Sequence, residues 1–544
     1  MSAADLRRDS AWWGWGRAEN RPTLTEAQRA LVAAELGPAD PARAVALEDV
    51  ALPDALSIPD RLIAAAGGPG AASAEVEDRV RHAAGKSYPD LWRIRNGMPV
   101  DAPDAVLAPE SAASVRTVLE ACAREHVAVV PFGGGSSVVG GVEPLRGTHD
   151  RLVSLDLTSM REVRIDDRSH TATLGPGLRG PEAEAALNDA GYTLGHFPQS
   201  FMYATIGGFA ATRSAGQASS GYGRFDALVT AVTMQTPSGE MTTLETPHTA
   251  AGPALRELIV GSEGTLGVIT DVTVKIRPLP TERRYEGWFA ESWKAGIELA
   301  RALAQHGALP DVFRLSDHDE TRVSLAMSGL EGLKRSLFEG YLKLRGRSEG
   351  SMVIVGWEGD RESVGRRREV SAAVMRRADA VPLGRSPGEA WEHGRYEGPY
   401  LRDLLMDEGL MVETLETSHT YSRIGELYEG VRGALHGAMS DRGHPGIVMC
   451  HVSHVYRDGA SLYFTFLCPR EAGSEIEQWR AVKTAACEAI VAAGGTITHH
   501  HATGTDHAPY MKAEVGELGI EALRAVKDRL DPAGIMNPGK LIPA

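Results

Sequence analysis

Residues 131–141 read Pro-Phe-Gly-Gly-Gly-Ser-Ser-Val-Val-Gly-Gly, and they follow the apolar run Val127–Val130. The apolar run predicts a short buried strand. Three consecutive glycines and two small hydroxyl residues leave the backbone free to adopt positive φ and to approach a ligand closely. Successive exposed N–H groups in such a turn bind phosphate oxygens without a cationic side chain. The segment therefore indicates a phosphate-binding loop, although an ordinary surface turn can have the same composition.

Two further segments of the same kind follow this loop. Residues 205–216 read Thr-Ile-Gly-Gly-Phe-Ala-Ala-Thr-Arg-Ser-Ala-Gly, and residues 259–270 read Ile-Val-Gly-Ser-Glu-Gly-Thr-Leu-Gly-Val-Ile-Thr. Each places glycine and hydroxyl residues inside an apolar run, where a core would otherwise carry larger side chains. Three such loops predict a long polyphosphate ligand enclosed by backbone. A Rossmann site is not indicated, because no G-x-G-x-x-G segment opens a helix with an acidic residue about 20 positions later.

Together the three loops resemble the FAD-binding domain of the vanillyl-alcohol oxidase and p-cresol methylhydroxylase superfamily. The resemblance implies a two-part FAD-binding domain. Residues 131–138 contain no histidine or cysteine that could link to the flavin ring, so we expect noncovalent FAD. The residues that the resemblance assigns to FAD binding are Pro131, Gly133, Gly134, Gly135, Ser136, Ser137, Pro198, Thr205, Gly207, Gly208, Thr212, Ser214, Gly216, Glu263, Gly264, Val268 and Ile269.

Composition restricts the class of protein. The 544 residues are 43% hydrophobic and 24% charged, which is typical of a soluble globular chain with two or more domains. The net charge of −15 argues against nucleic acid or an anionic membrane as the main partner. We expect a cytoplasmic protein, because there is no long apolar run and residues 1–9 lack the apolar core of a secretory signal. High Ala, Gly, Arg and Val content suggests a GC-rich bacterial source. The cysteines are scattered, which fits a reducing compartment: Cys122, Cys450, Cys468 and Cys487.

Periodicity and punctuation predict an α+β fold in four parts. Residues 1–90 form a helical N-terminal segment, and residues 91–280 form the FAD-binding domain, which ends at the proline-rich stretch 276–281. Residues 281–500 alternate amphipathic helices with strands and form an α+β cap domain that contacts the substrate. Residues 501–544 return to the FAD-binding domain in the superfamily. The predicted helices are 25–36, 112–125, 181–190, 292–306, 422–441 and 474–493, with a last helix from residue 523 onward, and strands are expected at 352–357, 446–455 and 461–468.

Within the superfamily, several segments resemble the alkyldihydroxyacetone-phosphate synthase family. They are Trp12–Gly16, Phe313–Asp317, Tyr400–Asp403 and Glu416–Ser418. We interpret the tryptophans as packing the N-terminal segment onto the body of the protein. The resemblance implies that Arg402 binds the substrate phosphate, which suits a planar guanidinium. It also places Arg314 and Thr417 among the residues expected to bind substrate, and the alternative for each arginine is a surface salt bridge.

Tyr463 matches the catalytic tyrosine of this family. In an alternating strand, Leu462 and Phe464 face one side and Tyr463 faces the other. A core tyrosine is the default for such a strand, and it is the resemblance that implies a catalytic role.

The most specific segment is the histidine triplet His499–His501. Adjacent residues of a regular element cannot all face one metal ion, and no cysteine or carboxylate lies nearby at ligand spacing. We therefore expect no metal. The family carries a histidine triplet here that acts without metal, and an imidazole near the flavin can move protons close to neutral pH. His500 and His501 are favoured as catalytic residues over His499.

The rival branch comprises the FAD-dependent 2-hydroxyacid dehydrogenases, which hold a divalent metal with a histidine pair and a glutamate. Here Tyr463 stands where the second metal histidine would be, and His500 replaces the glutamate. Losing these ligands should disable that site. The tail Asn537–Lys540 is common in the dehydrogenases, and we interpret it as a scaffold feature.

The synthase resemblance implies exchange of the acyl group of acyl-dihydroxyacetone phosphate for a fatty alcohol, through a redox-neutral reaction at flavin N5. Tyr463, helped by a histidine, would remove a proton next to the ketone. The expected partner is therefore a small phosphorylated or lipid substrate, not nucleic acid. A peripheral membrane contact and a homodimer stay open.

Overall fold

The structure is a computed structural model, and it describes residues 10–17, 23–99, 101–327, 340–347 and 349–543. The first nine residues, on which the absence of a signal was argued, lie outside the described residues. Four α-helices are described before residue 96, and they are Glu26–Leu36 (α1), Asp60–Ala66 (α2), Val76–Arg81 (α3) and Tyr88–Arg95 (α4). Thr25 begins α1 with a capping box, in which its hydroxyl accepts the Gln28 N–H and the Gln28 side chain accepts the Thr25 N–H.

The first sheet has four strands in the order β1-β2-β4-β3. The strands are Ala72–Ser73 (β1), Ala105–Leu107 (β2), Val127–Phe132 (β3) and Arg151–Asp156 (β4), and β2, β4 and β3 run parallel. Helix Ala112–Glu125 (α5) covers the sheet and begins at the Ser111 hydroxyl, as the sequence predicts. The C-terminal tail joins this sheet, because Val129 bonds the backbone of Ile535 and Asn537 at 2.8 Å each.

The second sheet has five antiparallel strands in the order β5-β6-β10-β8-β9. Its strands are Val163–Asp166 (β5), Thr171–Leu174 (β6), Val229–Thr236 (β8), Gly239–Thr242 (β9) and Val268–Lys275 (β10), while Tyr192–Thr193 (β7) and Arg277–Pro278 (β11) form a separate pair. The helices in this region are Gly180–Asp189 (α6), Ile206–Ala211 (α7), Ser219–Tyr222 (α8), Phe225–Leu228 (α9) and Leu255–Ile259 (α10). The predicted phosphate-binding loop thus directly follows β3 of the first sheet, and the 205–216 segment contains α7.

The third sheet has seven antiparallel strands in the order β15-β12-β14-β13-β17-β18-β16. The strands are Glu282–Ala290 (β12), Val312–Ser316 (β13), Ser351–Gly359 (β14), Val381–Gly384 (β15), Leu410–Thr420 (β16), Ile447–Val452 (β17) and Gly459–Pro469 (β18). The accompanying helices are Trp293–Gln305 (α11), His318–Met327 (α12), Arg361–Arg377 (α13), Ser386–Gly394 (α14), Gly398–Asp407 (α15), Ile424–Asp441 (α16) and Glu475–Ala493 (α17).

One face of this sheet forms the largest core. Leu462, Phe464 and Phe466 of β18 pack there with apolar residues of α11, α13, α16 and α17. Because side chains alternate along a strand, Tyr463 and Thr465 point to the opposite face, away from these helices. That opposite face is the one that borders the functional site.

Most predicted helices have the expected ends, because their capping residues are readable in the sequence. Trp293–Gln305 begins at the Ser292 hydroxyl. Two predictions differ from the structure. The strand predicted to reach residue 455 ends at Val452, and the last helix begins at Met511 and ends at Leu530 (α18), whereas we predicted it from residue 523 onward. The boundaries of the four predicted parts remain predictions.

Candidate active site

A cavity of about 480 Å³ runs between the three sheets. The three glycine-rich loops line one end of it, and the open face of the seven-stranded sheet lines the other. Fifteen of the seventeen residues expected to bind FAD lie on its wall. The structure therefore brings the three loops together around one space.

The first loop packs so closely on its neighbours that larger residues would not fit. A methyl group at Gly134 would overlap the Tyr203 carbonyl oxygen, and one at Gly133 would overlap the Thr205 hydroxyl. Gly135 has a φ of +60°, which a side chain would strain. This backbone cradle suits the pyrophosphate of a dinucleotide, which needs N–H groups at short range. On this observation the site fits FAD.

The third loop is tied to the C-terminal segment. Glu263, with a φ of +52°, accepts the backbone N–H groups of Thr503 and Gly504 at 2.8 and 2.7 Å. Its backbone carbonyl accepts the Asn537 side chain at 2.7 Å. Burial raises the pKa of the Glu263 carboxyl to about 6. Glu263 thus lies on the cavity wall, and its carboxylate fixes the chain that follows the histidine triplet.

Two residues that we expected to bind FAD lie off the cavity wall. Gly216 does not line the cavity, because its N–H donates to Ser219 and a methyl there would lie 2.6 Å from the Phe197 nitrogen. Val268 also lies off the wall, since its side chain belongs to the core that includes Val129. In both cases other residues of the same segment line the cavity, whereas these two residues pack behind the segment.

Tyr463 and the histidine triplet meet at the far end of the loops. The Tyr463 ring stacks on His451, with centroids 4.7 Å apart, and lies 5.3 Å from His501 edge-on. His500 stacks on Tyr463 at 6.1 Å. All four side chains line the cavity. The structure therefore places the three predicted catalytic residues, Tyr463, His500 and His501, in one cluster beside the FAD loops.

Glu416 organises this cluster, and we missed it in the sequence. It lies directly opposite Tyr463 on β16 and is buried, with 1% of its surface exposed. Its carboxylate accepts the backbone N–H groups of His499, His500 and His501 at 2.5, 3.0 and 2.7 Å. The Thr498 hydroxyl also donates to this carboxylate, at 2.6 Å. Three successive N–H groups converging on one carboxylate form an anion-binding nest that fixes the bend of the triplet.

Burial sets the protonation states of the cluster. It raises the pKa of Tyr463 to about 12, although Thr414 and Arg402 oppose the shift. It lowers the pKa of His500 and lowers that of His501 well below the usual value, although Glu416 opposes both shifts. Burial would raise the pKa of Glu416, but the facing imidazoles and the Thr498 hydroxyl hold it well below its ordinary value. Near neutral pH the arrangement holds a protonated phenol, neutral imidazoles that can accept protons, and an ionised carboxylate.

The two arginines occupy different positions on the wall. Arg314 donates to Glu320 at 2.7 Å and contacts His451 at 3.0 Å, so its charge is already paired. Arg402 donates to the Lys86 carbonyl at 2.5 Å, and its nearest carboxylate in an ion pair, Glu413, is 3.9 Å away. Arg402 is therefore the less compensated charge of the two.

Thr417, which we expected to bind substrate, does not line the cavity. It pairs with Leu462 on the helix-covered face of the sheet, and its hydroxyl donates to the Thr496 carbonyl at 2.6 Å. The adjacent Glu416 faces the cavity side because side chains alternate. The segment that we singled out in the sequence is therefore part of the site, but through Glu416.

The histidines also form a cluster that could hold a metal ion. Ring nitrogens of His454, His499 and His500 lie within 4.8 Å of one another. His499 and His500 lie in an irregular bend. The argument that adjacent residues of a regular element cannot all face one metal ion therefore does not apply to them. The Tyr456 hydroxyl contacts His499 Nε2 at 2.6 Å, and the two Nδ1 atoms of His499 and His500 are 2.9 Å apart. The absence of metal remains a prediction.

The cavity also has an apolar arm. It extends between α1, α12, α15 and the end of the seven-stranded sheet, and its wall includes Leu31, Val32, Leu36, Met327, Leu401, Leu405, Val412, Ile447, Met449 and Leu467. An arm with an apolar wall suits a hydrocarbon chain. Among the described residues, no helix combines the length and the apolar character needed to cross a membrane.

Comparison with protein families assigns both halves of the chain. Residues 103–245 match the family described as FAD binding domain. Residues 279–541 match the family described as FAD linked oxidases, C-terminal domain. The first match covers the first and second loops, and the second covers the tyrosine and the histidine triplet.

Individual proteins give a narrower comparison. An alkyldihydroxyacetonephosphate synthase from Trypanosoma brucei brucei is 36% identical over 477 residues, which cover 86% of this chain and 77% of that protein. A solved structure of an alkyldihydroxyacetonephosphate synthase superposes with a TM-score of 0.86 at 28% identity, covering 99% of this chain and 100% of that one. The structure of p-cresol methylhydroxylase with substrate bound has a TM-score of 0.64 at 14% identity and covers 88% and 95%, which shows a shared fold. The predicted fold, α+β of the vanillyl-alcohol oxidase type, is confirmed.

Proposed function

The chain belongs to the alkyldihydroxyacetonephosphate synthase family, and on that premise we propose that it exchanges the acyl group of an acyl-dihydroxyacetone phosphate for a fatty alcohol. FAD is its cofactor. The product of this exchange is an ether lipid precursor. The observation that carries the proposal is the single cavity that joins the FAD loops, the Tyr463–His500 cluster and an apolar arm.

The cavity wall offers a place for each part of the proposed substrate. Arg402 binds the phosphate, and the apolar arm takes the acyl or alkyl chain. These contacts leave the ketone carbons beside Tyr463 and His500. A substrate with a phosphate at one end and a hydrocarbon at the other would use the whole cavity, whereas a short hydroxyacid would leave the apolar arm empty.

Proton transfer is the task of the cluster. Removing a proton next to the ketone requires a base, and the neutral imidazole of His500 or His501 is available near neutral pH. Tyr463, which the family resemblance implies as the base, has its pKa raised to about 12 by burial, so near neutral pH it keeps its proton and can donate a hydrogen bond to the departing carboxylate. When bound, the flavin supplies an electrophilic ring atom for a reaction with no net redox change. Glu416 keeps the imidazoles in place through their backbone.

The alternative is a 2-hydroxyacid dehydrogenase or oxidase. It is favoured by one observation, the cluster of His454, His499 and His500 that could hold a metal ion. That chemistry would reduce the flavin on addition of substrate and would need an electron acceptor to turn over. It would make no use of the apolar arm.

Several finer properties complete the proposal. We propose a cytoplasmic location, a bacterial source and noncovalent FAD. A peripheral membrane contact would deliver lipid substrates, and a homodimer is compatible with the proposal.

The experiment that tests the function is an anaerobic flavin spectrum recorded before and after adding palmitoyl-dihydroxyacetone phosphate and a fatty alcohol. Release of palmitate and formation of the ether, with no electron acceptor consumed, supports the synthase. Bleaching by D-2-hydroxyacids that an electron acceptor reverses, together with no palmitate release, would establish the alternative. The variant Tyr463→Phe should retain FAD and lose the exchange.

A further inference from the structure

Five buried polar atoms that belong to residues lining the cavity have no hydrogen-bond partner among the described residues. They are Trp15 Nε1, Gln217 Oε1, Glu320 Oε2, Arg402 Nε and His454 Nδ1. Buried polar groups in folded proteins are almost always paired, so such atoms indicate where a ligand supplies the partner. Trp15 Nε1 and Arg402 Nε can only donate. A ligand that satisfies both must bring acceptor atoms.

Trp15 is held against the helix that carries Arg402. Its backbone N–H donates to the Asp403 carboxylate at 2.6 Å. The next residue, Gly16, has a φ of +77°, and a methyl group there would lie 2.7 Å from the Tyr400 ring. The Gly16 carbonyl closes the turn by accepting the Ala11 N–H at 2.6 Å. The tight turn 11–16 thus fixes the indole on α15, and the indole itself is 4% exposed.

The ion pair of Arg402 is a long one, because the Glu413 carboxylate lies 3.9 Å away. The Glu413 carboxylate already accepts the backbone N–H of Tyr88 and the indole N–H of Trp479, so its charge is shared. Lys86, whose carbonyl accepts from Arg402, is a second cation in this region. Burial, assisted by the charges of Arg81 and Arg402, lowers the pKa of Lys86 to about 8. Arg402 and Trp15 therefore each keep an unpartnered donor, and both residues belong to the same wall.

We propose that Trp15 is a substrate-binding residue, and that its indole N–H and the Arg402 Nε–H together bind the oxygens of a phosphate monoester. Our interpretation of the tryptophans as packing residues is therefore incomplete, because Trp15 also lines the cavity. The assignment of the anion to the substrate rests on the proposed function. The second source of the same chemistry is the pyrophosphate of FAD, which the test distinguishes.

The test compares the FAD-loaded wild type with Trp15→Phe, which removes the N–H and keeps an aromatic ring. Dihydroxyacetone phosphate is titrated against the flavin spectrum, which needs no turnover. We expect the Kd of this phosphate ester to rise about tenfold, as for loss of a hydrogen bond to a charged group. Unphosphorylated dihydroxyacetone should bind both proteins equally. Arg402→Lys should raise the Kd of the phosphate ester by a similar factor. It provides a second measurement if Trp15→Phe does not fold.

Trp13→Phe is the matched control. Trp13 lies two residues away in the same turn, contacts Arg95 at 5.5 Å from the ring centre, and is not on the cavity wall. The proposal is overturned if wild-type protein does not bind the phosphate ester. It is also overturned if Trp15→Phe raises the Kd of dihydroxyacetone phosphate and of unphosphorylated dihydroxyacetone equally. Loss of FAD from Trp15→Phe with unchanged affinity for the phosphate ester would assign the donors to the cofactor, which also overturns it. A wild type that binds the phosphate ester but releases no fatty acid would contradict the proposed function alone.

Discussion

Glu416 contacts His500 twice: Oε1 accepts the His500 backbone N–H at 3.0 Å, and Oε2 lies 3.4 Å from Nδ1 of the same residue. The carboxylate thus holds both the backbone and the ring of a predicted catalytic histidine. Since the same carboxylate also bonds His499, His501 and Thr498, one buried charge determines the shape of the whole triplet. The side chain acts on the reaction through the histidines and is a positioning residue.

We expect Glu416→Gln to lower both stability and activity. The amide would leave some of the converging N–H groups without an acceptor, which should cost about 2–4 kcal/mol of unfolding free energy. Displacement of His500 should lower kcat by about a hundredfold with little change in KM. Urea unfolding and steady-state kinetics measure the two effects. Glu426→Gln is the control, because Glu426 pairs with Arg423 on the surface. Normal kcat in a folded Glu416→Gln protein would contradict the positioning role.

The sequence correctly predicted which side chains of β18 face the site, but it did not identify Glu416 on the neighbouring strand. Alternation along β18 correctly separates Tyr463 from Leu462 and Phe464, because the period of a strand is local. Which residue of the 416–418 segment shares a face with Tyr463 depends on how β16 pairs with β18. That register is set by packing between distant segments, so the sequence alone led to Thr417.

The glycine loops were predictable for the opposite reason. Their signal is the local backbone freedom of consecutive glycines, and it needs no partner to be recognised. Trp15 shows the limit of this approach. Its contact with Asp403 joins residues 388 positions apart, and no periodic pattern in either segment indicates it.

The close packing of the first loop gives a second prediction. Gly134→Ala should weaken FAD binding by at least about tenfold, because the added methyl overlaps the Tyr203 carbonyl and must displace one of two loops. The bound-flavin content of purified protein and the Kd for FAD measure this. Gly433→Ala is the control, since that glycine lies in α16 with nothing within 4 Å of an added methyl. Equal FAD content in both variants would mean that the loop does not cradle the cofactor.

His196 should make the protein sensitive to acid. Burial lowers its pKa to about 3, whereas an unfolded histidine takes up a proton near pH 6.5. Between these values the unfolded state binds more protons, so this residue lowers the free energy of unfolding as the pH falls, by up to about 1.4 kcal/mol per pH unit. His196→Gln should reduce that slope between pH 6.5 and 4.5 in urea unfolding. The exposed His248→Gln should leave it unchanged. An unaltered slope in His196→Gln would show that the folded residue takes up its proton readily.

The final prediction depends on the apolar arm and concerns the length of the acyl chain in the substrate. Val32 lies on the arm and belongs to α1, so Val32→Trp should fill part of the arm without touching Tyr463 or the FAD loops. We expect kcat/KM for a palmitoyl substrate to fall about tenfold relative to that for an octanoyl substrate, because the longer chain loses more buried contact. Competition between the two acyl-dihydroxyacetone phosphates measures this ratio directly. Ala34→Trp, on the exposed side of the same helix, should not change it. An unchanged ratio in Val32→Trp would mean that the hydrocarbon chain takes another path, and the apolar arm would then no longer support a lipid substrate.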